Sequence, residues 1–134
     1  MIPMTERRLL QAAIATACLV PLGIGGASIL FGPSAITTML APSPSFDSHF
    51  RYLSGICFAL GIGFASCIPA IEARGPRFRL LGAMVVTGGI ARLVSLAMLG
   101  WPGAGHRFGL AMELGVVPLL MLWQWRIERR SRPA

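Results

Sequence analysis

Four apolar stretches, separated by short polar connections, dominate this chain. They run from Leu9 to Phe31, Phe50 to Ile71, Leu80 to Gly100 and Phe108 to Trp125. Each is close to the ~20 residues an α-helix needs to cross the hydrocarbon core of a bilayer. Lipid offers the backbone no hydrogen-bond partners, so these stretches are read as helices, which satisfy their own N–H and C=O groups. The pattern predicts an all-α integral membrane four-helix bundle, forming a single transmembrane domain over residues 1–134.

The arginines set the expected orientation. Arg7 and Arg8 precede the first stretch, Arg74, Arg77 and Arg79 fill the connection between the second and third, and Arg126, Arg129, Arg130 and Arg132 follow the fourth. The other two connections carry only Arg51 and Arg107 at their edges. The positive-inside rule then places both termini and the middle connection in the cytoplasm, as in a multi-pass protein of a cell inner membrane. Arg7-Arg8 ahead of an apolar run also resembles a secretory signal. The run is long for a signal and no A-x-A site closes it, and cleavage would leave the remaining orientation unchanged. Removal of the residues before about 32 therefore stays an open alternative.

The connections differ in character. Pro33, Pro42, Pro44 and several serines argue against regular helix across Gly32 to His49. A short surface helix is expected over Ser34 to Leu40, with Met39, Leu40 and Phe46 dipping into the interface. Trp101 to Arg107 reads as a tight Gly/Pro turn. Its GWPGAGHRFG lacks the preceding strand and the Gly-Lys-Ser/Thr ending of a phosphate loop. Small residues mark expected helix contacts: Gly23, Gly26 and Ala27; Gly55, Ala59 and Gly63; Gly88 and Gly89. Pro21, Pro69 and Pro118 interrupt three of the spans, and Trp101, Trp123 and Trp125 stand at expected interfaces.

Composition narrows the class. Hydrophobic residues make up 54% of the chain and charged residues 13%, about half the usual charged share of a soluble domain. The net charge is +7 with no lysine. The arginines flank apolar segments instead of forming a basic polar face, so no nucleic-acid partner is expected. The Arg, Ala and Gly richness without Lys suggests a bacterium. Cys18, Cys57 and Cys67 sit within apolar stretches without CxxC spacing and read as packing residues. His49 and His106 lack metal-ligand spacing, and no metal or other cofactor is expected.

Two opposite charges inside the apolar stretches carry the candidate chemistry. Arg92 lies ~12 Å below the outer end of the third span and Glu113 ~8 Å below the same end of the fourth, at 1.5 Å per residue. A short turn makes these spans antiparallel neighbours, so an Arg92–Glu113 ion pair is expected, which relieves the large cost of either charge alone in lipid. Arg51, Tyr52, Ser95 and His106 collect at the same outer level. With Arg92 and Glu113 they are the candidate ligand-binding residues, suited to an anionic lipid head group or a small anion. Arg51 is expected to meet that anion.

At Arg51-Tyr52-x-x-Gly55, Gly89-x-x-Arg92-x-x-Ser95 and Glu113-x-x-x-x-Pro118, the chain resembles an uncharacterised family of four-helix bacterial inner-membrane proteins grouped loosely with DoxX-like proteins. The resemblance covers most of the chain and is strongest from Arg51 to Trp125. It implies a four-helix membrane domain with these polar residues inside, and no agreed activity.

Three readings follow. The first is a non-enzymatic accessory or binding protein with an outward-facing polar, anion-binding pocket, embedded in the lipid bilayer and able to join a homo-oligomer or a larger membrane complex. The second is a small transporter or channel subunit. It is weakened by the nearly apolar inner halves, where Thr16, Ser66 and Thr87 are the only candidates. The third is a membrane enzyme acting on a lipid or quinone, with Glu113 as its sole buried acid or base. A carboxylate locked to an arginine suits that role poorly, so no catalytic residue is assigned.

Overall fold

The computed structural model describes residues 4–38 and 41–131, and every regular element among them is helical. Helix α1 spans Met4–Phe31, α2 Pro44–Cys67, α3 Gly75–Leu99, α4 Ala104–Ala111 and α5 Val117–Ser131. Short 3-10 turns extend α1 through Gly32–Ala35 and α2 through Ile68–Ala70. A π-helical turn, Met112–Val116, carries α4 directly into α5. Four helical segments are thus long and apolar enough to cross a membrane: Met4–Ala35, Pro44–Ala70, Gly75–Leu99 and Ala104–Ser131.

The helices outrun the apolar stretches that announce them. α2 begins at Pro44, not at Phe50. Proline at the first helical position loses no useful N–H, and the Ser43 side chain accepts the Phe46 N–H at 3.2 Å as an N-cap. α3 begins at Gly75, so Arg77 and Arg79 occupy its first turns instead of a connection. Arginine is a good helix former, and an apolar window cannot see such residues. The surface helix expected over Ser34 to Leu40 is instead the 3-10 turn Gly32–Ala35, closed by the Ile36 and Thr37 N–H groups on the Pro33 carbonyl. The β-branched run Ile36, Thr37 and Thr38 disfavours its continuation. Met39, Leu40 and Arg132 lie outside the described residues.

The chain divides into two compact units, one formed by Gln11–Pro69 and the other by the chain up to Leu10 with the chain from Ala70 onward. Lipid tails are as apolar as leucine, so helices in a membrane associate through close packing and polar contacts.

In the Gln11–Pro69 unit, a Cβ on Gly61 would lie 2.9 Å from Leu22 Cδ2, and one on Gly25 3.1 Å from the Phe58 nitrogen. Each helix fits a large residue onto the other's glycine. On the expected Gly55–Ala59–Gly63 face, Gly55 meets open space and Ala59 is exposed, whereas Gly63 is half-buried. Ile14, Cys18, Phe64 and Cys67 are buried in this unit, and Pro21 sits within α1 without ending it. Gln11 Nε2 donates to the Ile68 carbonyl at 2.7 Å, satisfying a group left over at the end of α2.

In the other unit, α3 runs beside α4, the π turn and α5. A Cβ on Gly89 would lie 2.7 Å from Leu114 Cδ2 and 3.0 Å from Glu113 Cβ, so only glycine permits this approach. Gly88 meets open space. Leu10, Ile71, Phe78, Leu120 and Ile127 are the buried apolar side chains here.

Candidate functional site

Arg92, on α3, reaches Glu113, in the π turn, with its Nε 3.0 Å from Oε2 and 3.1 Å from Oε1. Its Nη1 lies 2.9 Å from His106 Nδ1 on α4. A guanidinium only donates, so Nδ1 accepts and the ring proton belongs on Nε2. Glu113 is mostly shielded, at 19% side-chain exposure, while 43% of the Arg92 side chain stays accessible. Glu113 Oε2 is buried and ion-paired but receives no well-aligned hydrogen bond.

The backbone under Glu113 has an identifiable cause. Pro118 has no N–H, and its ring crowds the carbonyl one turn back. The preceding turn widens, so that the Val117 N–H reaches back five residues to the Met112 carbonyl. Such single π turns recur at functional sites. Sequence reading took Pro118 as an interruption of the span and missed the widened turn. The signal was present in the five-residue step from Glu113 to Pro118.

Arg51 and Tyr52 belong to the Gln11–Pro69 unit. The Arg51 guanidinium, expected to be available to an anion, is already engaged. Nε bonds Asp47 Oδ2 at 2.8 Å, and Nη1 donates to the Ile29 and Leu30 carbonyls at the end of α1. It acts as a clasp on leftover carbonyls, at the negative end of a helix dipole. Gly32 makes room for this clasp: its φ is +64°, and a Cβ there would lie 2.6 Å from Asp47 Oδ1 and 2.7 Å from Arg51 Nη2. Tyr52 is 66% exposed. Ser95, one turn beyond Arg92, is also exposed, and neither side chain makes a hydrogen bond among the described residues.

A second polar cluster escaped sequence reading. At the far end of the α3–α5 pair, Arg79 Nη1 bonds Glu128 Oε2 and lies 3.3 Å from Gln124 Oε1. Gln124, fully buried, donates through Nε2 to the Ile71 carbonyl at 3.0 Å and faces Glu128 Oε2 at 3.4 Å. Leu120, Gln124, Ile127 and Glu128 share one buried face at helical spacing. That periodicity was readable, but it runs beyond the apolar stretch ending at Trp125.

The family described as "Domain of unknown function (DUF4345)" matches residues 9–124, most of the chain. The chain belongs to the DUF4345 family. No curated protein and no solved structure matches it. The region of this DUF4345 protein covered by the match includes Arg51, Arg92, His106, Glu113 and Gln124, and ends before Glu128.

The two charged clusters anchored on α3 of the DUF4345 protein differ in openness. Arg79–Gln124–Glu128 is the more enclosed, with Arg79 35% and Glu128 8% exposed, and the Glu128 carboxylate lies within reach of Arg79 and Gln124 donors. Arg92 is held at two nitrogens with its remaining edge, Nη2, outside those contacts. That arrangement orients a guanidinium for a further acceptor. Among the described residues, no three of His, Cys, Asp and Glu gather as a metal site. Cys18, Cys57 and Cys67 are free of disulfides.

Proposed function

We propose that this DUF4345 member is a multi-pass protein of a bacterial inner membrane, with both termini in the cytoplasm, that binds a ligand and does not transform it. Its recognition group is the Arg92–His106–Glu113 cluster on the outward side. The ligand class is a small anion or head group bearing phosphate or carboxylate. The observation that carries this reading is the fixed yet accessible guanidinium: Nε held by Glu113, Nη1 by His106, and 43% of the side chain still exposed. Glu113 works as a positioning residue, keeping the arginine from swinging away along the membrane surface. Arg107, next to His106 and exposed, adds positive charge on the same side.

The test is thermal unfolding of the detergent-purified protein with inorganic phosphate or acetate at constant ionic strength. A ligand at about 100 times its dissociation constant stabilises by ~2.7 kcal/mol. Stabilisation of the native protein and its loss in Arg92→Gln are expected. Arg51→Gln should lower the unfolding temperature yet keep the response to the anion. An unchanged anion response in Arg92→Gln would overturn the reading.

A further inference from the structure

The end of the unit that carries Met4, Gly75 and Ser131 is rich in arginine and short of carboxylates. Residues 4–10, 71–79 and 125–131 hold eight arginines against three glutamates, an excess of five positive charges. Arg7 pairs with Glu72 and Arg79 with Glu128. The third glutamate, Glu6, is shared by Arg126 at 3.7 Å and Arg130 at 3.3 Å. One carboxylate cannot neutralise two guanidiniums, and these side chains stay 59% and 47% exposed. The Arg129 guanidinium carbon sits 4.7 Å from the ring centroid of Trp125, itself 46% exposed.

The face leading to these arginines is equally specific. Leu119, Leu122, Arg126 and Arg129 follow one another at three- and four-residue spacing, so they form a single stripe along α5. It is open along its length, with Leu119 at 65% and Leu122 at 63% exposure. Apolar side chains running into an arginine fork beside an interfacial tryptophan match an acyl chain ending in a phosphate. We propose that this end of α5, through Trp125, Arg126, Arg129 and Arg130, binds the phosphate of an anionic phospholipid whose chain lies along Leu122 and Leu119. A nucleic acid or acidic protein would have no use for the leucine half of the stripe. The inference uses none of the residues of the Arg92 cluster and stands apart from it.

The experiment compares phosphatidylglycerol with phosphatidylcholine of the same acyl chains, added to the full-length protein in neutral detergent. Retained lipid is counted by native mass spectrometry, and unfolding temperature is read in parallel. Phosphatidylglycerol is expected to be retained and stabilising, and phosphatidylcholine neither. Arg126→Gln with Arg129→Gln should weaken retention by roughly 25-fold, about fivefold for each arginine at the surface. Arg129→Gln alone, which disturbs only the contact with Trp125, should lose about fivefold and covers the case in which the double variant does not fold. Glu6→Gln, which releases two guanidiniums, should bind more tightly, and Arg92→Gln should bind as the native protein does. Equal retention of the two lipids, unchanged binding in Arg129→Gln, or equal stabilisation by soluble polyglutamate would overturn the proposal.

Discussion

Replacing Arg79 with methionine should do more harm to the α3–α5 pair than removing any arginine on its surface. Glu128 is 8% exposed, so the change takes the arginine away from a shielded carboxylate, with Gln124 Nε2 still 3.4 Å from it. Breaking a buried ion pair from one side costs about 3–5 kcal/mol. Arg79 is itself 35% exposed, so solvent or head groups reach the cluster and lower the expected cost to about 2–3 kcal/mol. Glu128→Met leaves the more accessible partner unpaired and should cost about 1–2 kcal/mol. The double variant removes both charges together with their desolvation penalty and should fall within about 1 kcal/mol of the native protein. The double-mutant cycle therefore predicts a coupling of about 2–6 kcal/mol, centred near 4. Reversible unfolding in mixed micelles with rising dodecyl sulfate fraction, followed by tryptophan fluorescence, measures all four species. Coupling below about 0.5 kcal/mol, or an Arg79→Met cost no larger than that of the exposed Arg8→Met, would refute the reasoning.

Three further outcomes are expected. Gly32→Ala combines a left-handed backbone with a Cβ 2.6 Å from Asp47 Oδ1, so the same assay should show a loss of at least about 2 kcal/mol. Gln124→Leu leaves the Ile71 carbonyl and Glu128 with fewer donors and should lose about 1–3 kcal/mol, again read by unfolding in mixed micelles. With the native cysteines replaced, Ser45→Cys should react with a membrane-impermeant maleimide added outside spheroplasts, and Ser131→Cys only after permeabilisation. The reverse pattern would invert the orientation drawn from the arginines.

The helical class was legible because the bilayer imposes a length that apolar stretches must meet, and four of them do. Helix depth also told where to look for a partner of Arg92, since counting residues from a tight turn fixes height to within a turn. Other features left no such trace. Pro44 reads as a breaker unless Ser43 is recognised as the cap that makes it a start. Arg51 reads as a free cation because nothing in the pattern shows the end of α1 to which it returns. Glu128 was hidden by the apolar-stretch criterion itself, which ends a helix wherever polarity begins, and Gln124, one residue inside that end, has no visible partner until α5 is seen to continue past both. The π turn depends on which carbonyl each N–H finds, a property that side-chain periodicity does not carry.

That widened turn makes chain length between Glu113 and Pro118 a quantity with directional meaning. Losing Gly115 or Val116 would let the helix close regularly, turning everything before the lesion by about 100° and sliding it about 1.5 Å relative to α5. Glu113 would then aim at a different neighbour although the segment would stay apolar and long enough to span. The same deletion among Trp101–Gly103 would fall in irregular chain, where loops accommodate length changes. Insertions and deletions therefore have unequal tolerance along this hairpin: a change of phase in one place, slack in the other.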